Sequence, residues 1–157
     1  MININISTLI YQPIRKVFDF VSAPENDFQW QYGTLASARL SEDMEGGLGT
    51  FFRSIGHLLG RRNLSTFEVI VYERNRKYGF KTHAGPLHVE TIYIFEMVHD
   101  GTKVYISTQV NTINFLWFSE GVLEKKMKKQ LKENVAILKD LLEAKQFLSF
   151  PDAVSSA

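Results

Sequence analysis

Four histidines, His57, His83, His88 and His99, are the side chains of this 157-residue sequence best suited to moving protons near neutral pH. None belongs to a closely spaced pair of the kind that binds zinc on a helix, and cysteine is absent. Thiolate metal sites, cysteine nucleophiles and disulfides are therefore excluded, and no metal or cofactor is expected. His99 precedes Asp100-Gly101, a turn, and should face solvent. His57 shares the side of Arg53 on an alternating segment and should point outward. His83 and His88 bracket Gly85-Pro86, which puts both at one mouth of any interior cavity. Either is a candidate general acid or base there, although ordinary rim surface is the plainer reading. Glu90 and Glu96 share a strand face but stand about 20 Å apart on an ideal strand, too far for paired carboxylate chemistry. Gly46, Gly47 and Gly49 lack the Lys-Ser/Thr ending of a phosphate loop and lead into a strand, so a turn explains them better. No Gly-x-Ser-x-Gly nucleophile elbow occurs.

The other chemistry on offer is apolar. The chain carries 12 Phe, 6 Tyr and 2 Trp, and each ring buries on the order of 150–250 Å², so the aromatic supply must line something. With 18 Lys+Arg against 17 Asp+Glu the formal charge is +1, too small to neutralise phosphates, and no nucleic-acid partner is expected. A composition of 45% hydrophobic and 22% charged residues excludes disordered, collagenous and coiled-coil classes. The length suits one domain with one core. The longest apolar run, Phe115 to Phe118, is far short of the roughly 20 residues a membrane helix needs. Met1 to Tyr11 lacks the basic opening and continuous apolar stretch of a secretion signal. A soluble, cytoplasmic protein is expected, and the lack of cysteine suits a reducing compartment.

The elements that must position these residues follow from periodicity. Residues 2–11 alternate (Ile2, Ile4, Ile6 against Asn3, Asn5, Ser7) and predict a half-buried strand. Pro13 suits a helix start, Ile14, Val17, Phe18 and Val21 mark one helix face, and Pro24 ends it. Pro24 to Trp30 reads as a second short helical turn, with Phe28 and Trp30 available as anchors. Turn signals at residues 45–47, 60–63, 74–77, 85–86 and 99–101 then separate strands near 33–41, 48–59, 63–73, 78–83, 88–98 and 102–112, an antiparallel meander. Leu123, Met127, Leu131, Val135, Leu138 and Leu142 recur at steps of four and three, the stripe of one long amphipathic helix with Ser119 as N-cap. Its lysines at 125, 126, 128, 129 and 132 read as a solvated face interrupted by Glu124 and Glu133; a nucleic-acid or membrane patch is the alternative. Residues 147–157 are expected to form a tail beyond a domain of residues 1–146, with Phe147 and Phe150 free to fold back or meet another chain.

Such an arrangement should leave a hole. Seven strands at roughly 4.8 Å each make a sheet about 30 Å wide, whereas a helix is only about 10–12 Å across. The sheet must curl around the helix, and the two short helices must close part of the gap. Alternation against charged positions puts Phe52, Ser54 and Gly56 inward on one strand and Phe67, Val69 and Val71 on the next. Phe80, then Val89, Thr91, Tyr93 and Phe95, and finally Val104, Ile106, Thr108 and Val110 follow. Ser54, Gly56, Thr91 and Thr108 are too small to fill a broad trough, so a partly open cavity is expected; complete filling by the aromatic rings is the alternative. The candidate ligand-binding residues are Phe52, Phe67, Phe80, Tyr93 and Phe95 on the strands, with Met127 and Leu131 on the helix. Trp117 completes the set, and its cluster, Phe115 to Phe118, could form an entrance lid or a contact between two copies of the chain, a homodimer.

Short signposts agree with this order of elements. Ile10-Tyr11-Gln12-Pro13-Ile14-Arg15-Lys16-Val17-Phe18 opens the first helix, and Trp30 follows the second. Leu48-Gly49-Thr50, Gly101-Thr102-Lys103-Val104 and Leu138-Lys139-Asp140-Leu141-Leu142-Glu143 come later. Over about residues 2–144 the chain resembles the START-like, or SRPBCC or Bet v 1-like, superfamily and its polyketide cyclase/dehydrase-like branch. The resemblance implies an α+β helix-grip fold: a seven-stranded curved antiparallel sheet with two short helices and a long C-terminal helix. It also implies a deep cavity for lipids, sterols, polyketides or other apolar molecules. Members of the superfamily carry ligands, catalyse cyclisation or dehydration, or bind proteins, and fold alone does not select among these. Binding or carriage of a small hydrophobic ligand is the leading expectation, with a cyclase/dehydratase-type enzyme and a protein-interaction module as alternatives.

Overall fold

The alternating N-terminal segment forms β1 (Ile2–Ile10), which buries Ile2, Ile4 and Ile10 and turns Asn3 and Asn5 outward. Pro13, with φ of −59°, leads directly into α1 (Ile14–Val21), whose buried side is Val17, Phe18, Phe20 and Val21. A 3₁₀ helix, Pro24–Gln29, follows. The meander comprises β2 (Thr34–Arg39), β3 (Phe51–Leu58), β4 (Arg61–Glu73), β5 (Lys77–Ala84), β6 (His88–Val98) and β7 (Gly101–Asn111). The chain ends in α2 (Glu120–Leu148). The computed structural model describes residues 1–40, 47–58, 60–111 and 119–148.

All seven strands belong to one antiparallel sheet in the order β1-β7-β6-β5-β4-β3-β2. The first two strands in sequence lie at opposite edges, and α1 with the 3₁₀ helix makes the crossing between them. Register shifts break the ladder between Thr34 and Ala36 in β2–β3, and at two places in β4–β5. Such bulges bend and twist a strand locally, and here they fall in the part of the sheet that must curl. This is the expected helix-grip fold, with a curved sheet gripping one long helix.

The stripe on α2 faces the sheet as expected: Leu123, Val135, Leu138 and Leu142 are buried. Ser119 caps the helix, its Oγ accepting from the Val122 N–H at 3.3 Å. The other end is tied to the β1–α1 junction. Gln12 donates from Nε2 to the Leu142 carbonyl at 2.9 Å, Thr102 donates to the Gln12 carbonyl at 2.8 Å, and Lys139 donates to the Leu9 carbonyl. Lys139 also pairs with Glu143 at 2.7 Å and lies over the Tyr11 ring.

Several local expectations change. Val71 was expected inward, but the bulge between Val69 and Val71 advances the register, so Val71 pairs with Gly79 and Tyr72 packs against Phe18 in the core. The turn expected over residues 60–63 is tighter, because Arg61 and Arg62 already pair with Leu58 and His57. Phe28 is 56% exposed and does not anchor its turn, whereas Trp30, 2% exposed, does, together with the buried Pro24 and Asp27. In the Asp100-Gly101 hairpin it is Asp100 that takes positive φ, 65°. Gly101 is needed for space instead, since a Cβ there would lie 2.6 Å from the Ile10 carbonyl oxygen.

Candidate functional site

The core is divided. One cluster, around Ile10, Phe18, Phe95, Val104, Leu138 and Leu142, fills the end clamped by Gln12 and Lys139. A smaller one, Ile2, Ile4, Leu87, Val110 and Leu123, fills the other. Between them lies a partly open cavity of about 250 Å³. Met127 and Leu131 explain the division, because they belong to the buried stripe of α2 yet are only half-buried. Both line the cavity, so the helix face they present has no sheet residue filling the space opposite.

The walls are aromatic and their geometry is ordered. Phe52 stacks on Phe67 with centroids 5.2 Å apart, and Phe80 meets both edge-on at 5.4 and 5.3 Å. Tyr93 stacks on Tyr78 at 5.9 Å and meets Trp30 edge-on at 6.4 Å. Edge-on and offset pairs of this kind are the favoured aromatic arrangements. The floor is polar where small residues were expected: Ser54, Gly56, Thr91 and Thr108 all line the cavity. Ser54 and Ser37 hydroxyls lie 3.1 Å apart, and Thr82 accepts from the Val89 N–H at 3.0 Å.

Of the residues expected at the site, Phe52, Phe67, Phe80, Tyr93, Met127 and Leu131 come together around this cavity. Phe95 does not: it points inward, but packs against Phe18 at 5.1 Å in the clamped cluster. Trp117 and the rest of its cluster lie outside the described residues, as do the side chains of Phe147 and Phe150. His83 and His88 are exposed and absent from the lining. Strand parity explains this, since Thr82 and Val89 take the inward positions beside them. His83 instead meets the ring of Phe51 edge-on at 5.1 Å. His57 is exposed as expected, at the cavity's edge, and His99 is fully in solvent.

The carboxyl that the described lining contains is Asp27, on the 3₁₀ helix, which is 8% exposed. Burial, and then the charge of Glu25, push its carboxyl well above the usual range for aspartate. Burial and the nearby Asp27 also raise the phenols of Tyr78 and Tyr93, so both remain protonated donors. Glu25 is itself held by Arg39 at 2.9 Å. The sequence hides Asp27 because an acidic residue in a Pro-initiated helical turn ordinarily sits in solvent. Leu87, just past Gly85-Pro86, was also missed; it is buried and lines the cavity. Among the described residues no three His, Asp or Glu side chains group as a metal site, and no helix is long and apolar enough to cross a membrane.

A curved antiparallel sheet closed around one long helix, with a hollow interrupting the core between them, defines a helix-grip protein. The chain belongs to the family described as polyketide cyclase / dehydrase and lipid transport, whose profile matches residues 1–143. Among solved structures it is similar to a START superfamily protein from Mycobacterium smegmatis, with a TM-score of 0.76 and 14% identity over 90% of this chain and 97% of that one. Ara h 8.0201 gives a TM-score of 0.69 at 13% identity, covering 90% and 97% of the two chains. The di-domain ARO/CYC BexL from the BE-7585A biosynthetic pathway gives 0.73 at 15% identity, covering 91% of this chain and 47% of that one. At these identities the likeness establishes the fold. No curated protein matches the chain by sequence.

Proposed function

We propose that the protein binds a small, mainly apolar molecule in the cavity between the sheet and α2. One observation carries this reading: the core stops on both sides of a space walled by Phe52, Phe67, Phe80, Tyr93, Met127 and Leu131. Interiors normally pack without such gaps, and removing apolar guest surface from water contributes about 25 cal/mol per Å². The volume, about 250 Å³, lies just below the roughly 300–1,000 Å³ of common ligand pockets, which suits a compact guest better than a long acyl chain. The family description and the START name of one neighbour support the same reading. The absence of cysteine suits action in the reducing cytoplasm.

A second reading, catalysis of the cyclase/dehydratase type in the same cavity, is favoured by Asp27. Burial and then Glu25 raise the pKa of this carboxyl inside a largely apolar site, which makes it the kind of group that holds a proton for general acid–base work. Native mass spectrometry of the purified protein, with solvent extraction of any bound material, tests the first reading. A co-purifying apolar molecule, or a stoichiometric complex with an added aromatic probe, is expected; a protein that accepts neither is not a carrier.

A further inference from the structure

Four buried polar side chains line the cavity: Asp27, Thr91, Thr108 and Asn134. Thr91 and Thr108 bond each other at 3.1 Å, and Asn134 accepts from the Tyr32 N–H at 3.0 Å. Asp27 alone of the four has no hydrogen-bond or ion-pair partner for its side chain among the described residues. Its carboxyl oxygens are not sealed off as the enclosed unpaired atoms are, so a guest in the cavity can supply the partner that the protein does not. Trp30, at the end of the same 3₁₀ helix, also lines the cavity, and its Nε1 is enclosed without an acceptor. We propose that Asp27 is the ligand-selecting group of the cavity, donating a hydrogen bond to an acceptor oxygen on an otherwise apolar, uncharged guest and turning anionic guests away.

The surroundings of Asp27 fit that role. Glu25 on its own helix adds negative charge, Arg39 from β2 is engaged by Glu25, and Tyr78 and Tyr93 from β5 and β6 are neutral phenols. From α2 the cavity receives the uncharged Gln130 and Asn134. The described lining contains no lysine or arginine, and its one histidine, His57, is exposed at the edge, so a guest carboxylate buried beside Asp27 would be desolvated without a cation to meet. In the protonated state that burial and Glu25 favour, a carboxyl is an O–H donor. A ketone oxygen on an aromatic body therefore matches this corner, whereas a fatty-acid anion does not.

The inference rests on the binding reading above, and three naphthalenes that differ in one substituent separate the two. Ethylnaphthalene reports apolar binding, acetylnaphthalene adds an acceptor oxygen, and naphthoate adds a negative charge. By calorimetry at the acid end of the range in which the protein stays folded and naphthoate stays ionised, acetylnaphthalene should bind about threefold to tenfold more tightly than ethylnaphthalene, the value of one net hydrogen bond. Naphthoate should bind more weakly than either. In Asp27→Leu the acetyl preference should vanish. In the wild type it should also fade as pH rises and the carboxyl loses its proton, while in Asp27→Asn, whose amide donates at every pH, it should not. The pH comparison of the wild type with Asp27→Asn decides the matter if Asp27→Leu does not fold. Ethylnaphthalene binding without an acetyl preference, a preference kept in Asp27→Leu, or naphthoate binding as tight as acetylnaphthalene overturns the role of Asp27 and leaves apolar binding standing. Failure of all three probes to bind overturns both.

Discussion

The hydroxyls of Thr91 and Thr108 meet at 3.1 Å across the β6–β7 ladder, where the two residues are paired directly. Both are buried on the cavity floor, so each satisfies the other where the sheet would otherwise present bare hydroxyls to an apolar hollow. Thr91→Val strands the Thr108 hydroxyl and should cost about 1–3 kcal/mol. Thr91→Val with Thr108→Val should cost less than the sum of the two single changes, because the double variant leaves neither hydroxyl behind. Urea denaturation of the three variants measures this coupling; strictly additive losses would mean that the hydroxyls act independently.

Gly56 lets the edge of the sheet approach the cavity. A Cβ at this position would lie 2.3 Å from the Gly33 carbonyl oxygen, which also accepts from the His57 N–H at 2.7 Å. The obstructing atom is backbone, so the chain at Gly33 and Thr34, where β2 begins, must shift to make room. Gly56→Ala should therefore cost about 1–3 kcal/mol, as overpacking typically does. Gly121→Ala provides the contrast: nothing lies within 4 Å of a Cβ there, in the first turn of α2. Relief of the glycine penalty should make that variant more stable by up to about 1 kcal/mol. Thermal melts of the two variants should move in opposite directions.

These residues also mark how far sequence reasoning reaches. Ser54, Gly56, Thr91 and Thr108 were legible as small inward positions because strand parity is a local property, readable from a charged neighbour one residue away. Met127 and Leu131 were legible as stripe residues for the same reason at helical spacing. Parity failed at Val71, where one inserted residue between β4 and β5 reversed the faces. Asp27 was illegible because its burial is not local. The cavity that encloses it also draws on Tyr93 from β6 and Asn134 from α2, and no pattern within Pro24–Gln29 announces them. His83 and His88 were expected at the cavity mouth and are absent from its lining, because a turn fixes which residues bracket it but not the face each strand shows on leaving it.

Asp27 should make stability depend on pH in an unusual direction. Its folded-state pKa is raised above the ordinary 3.8 by burial and then by Glu25, so the folded protein binds this proton more tightly than the unfolded chain does. The stabilisation is complete below the unfolded value and is lost as pH rises through the folded one. Asp27→Asn removes the titration, and should therefore gain stability relative to the wild type as pH rises from the acid range to neutrality and beyond. Denaturation midpoints of both proteins across that range test the sign; a gap that narrows toward high pH contradicts it.

Glu143 should act in the opposite sense at the clamped end. Burial works to raise its pKa, but hydrogen bonds from Lys139 and the Tyr11 N–H, with the Lys139 charge, outweigh it and leave the group below its ordinary 4.5. A lowered folded pKa gives stability that is present above the unfolded value and lost as pH falls through the folded one. Glu143→Gln should cost at most about 1 kcal/mol at neutral pH, as partly exposed pairs do, and should lose less than the wild type on acidification below about pH 4.5. Acid titrations followed by circular dichroism would separate the two curves.

Leu131 allows the cavity itself to be tested without dismantling the fold. It packs against both core clusters yet is half-buried, with its free side toward the hollow. A larger side chain there has space to occupy, so Leu131→Trp should leave the melting temperature nearly unchanged while taking the volume a guest needs. Leu138, two helical turns further along, is completely buried in the clamped cluster. The same change at that position meets packed atoms, and Leu138→Trp should cost about 1–3 kcal/mol or more. If the cavity is the binding site, Leu131→Trp should weaken ethylnaphthalene by at least about tenfold, or roughly 1.4 kcal/mol. Folded Leu138→Trp should retain the probe. An unaltered affinity in Leu131→Trp would place the guest elsewhere, and a large loss of stability in that variant would show that the space beside Leu131 is already filled.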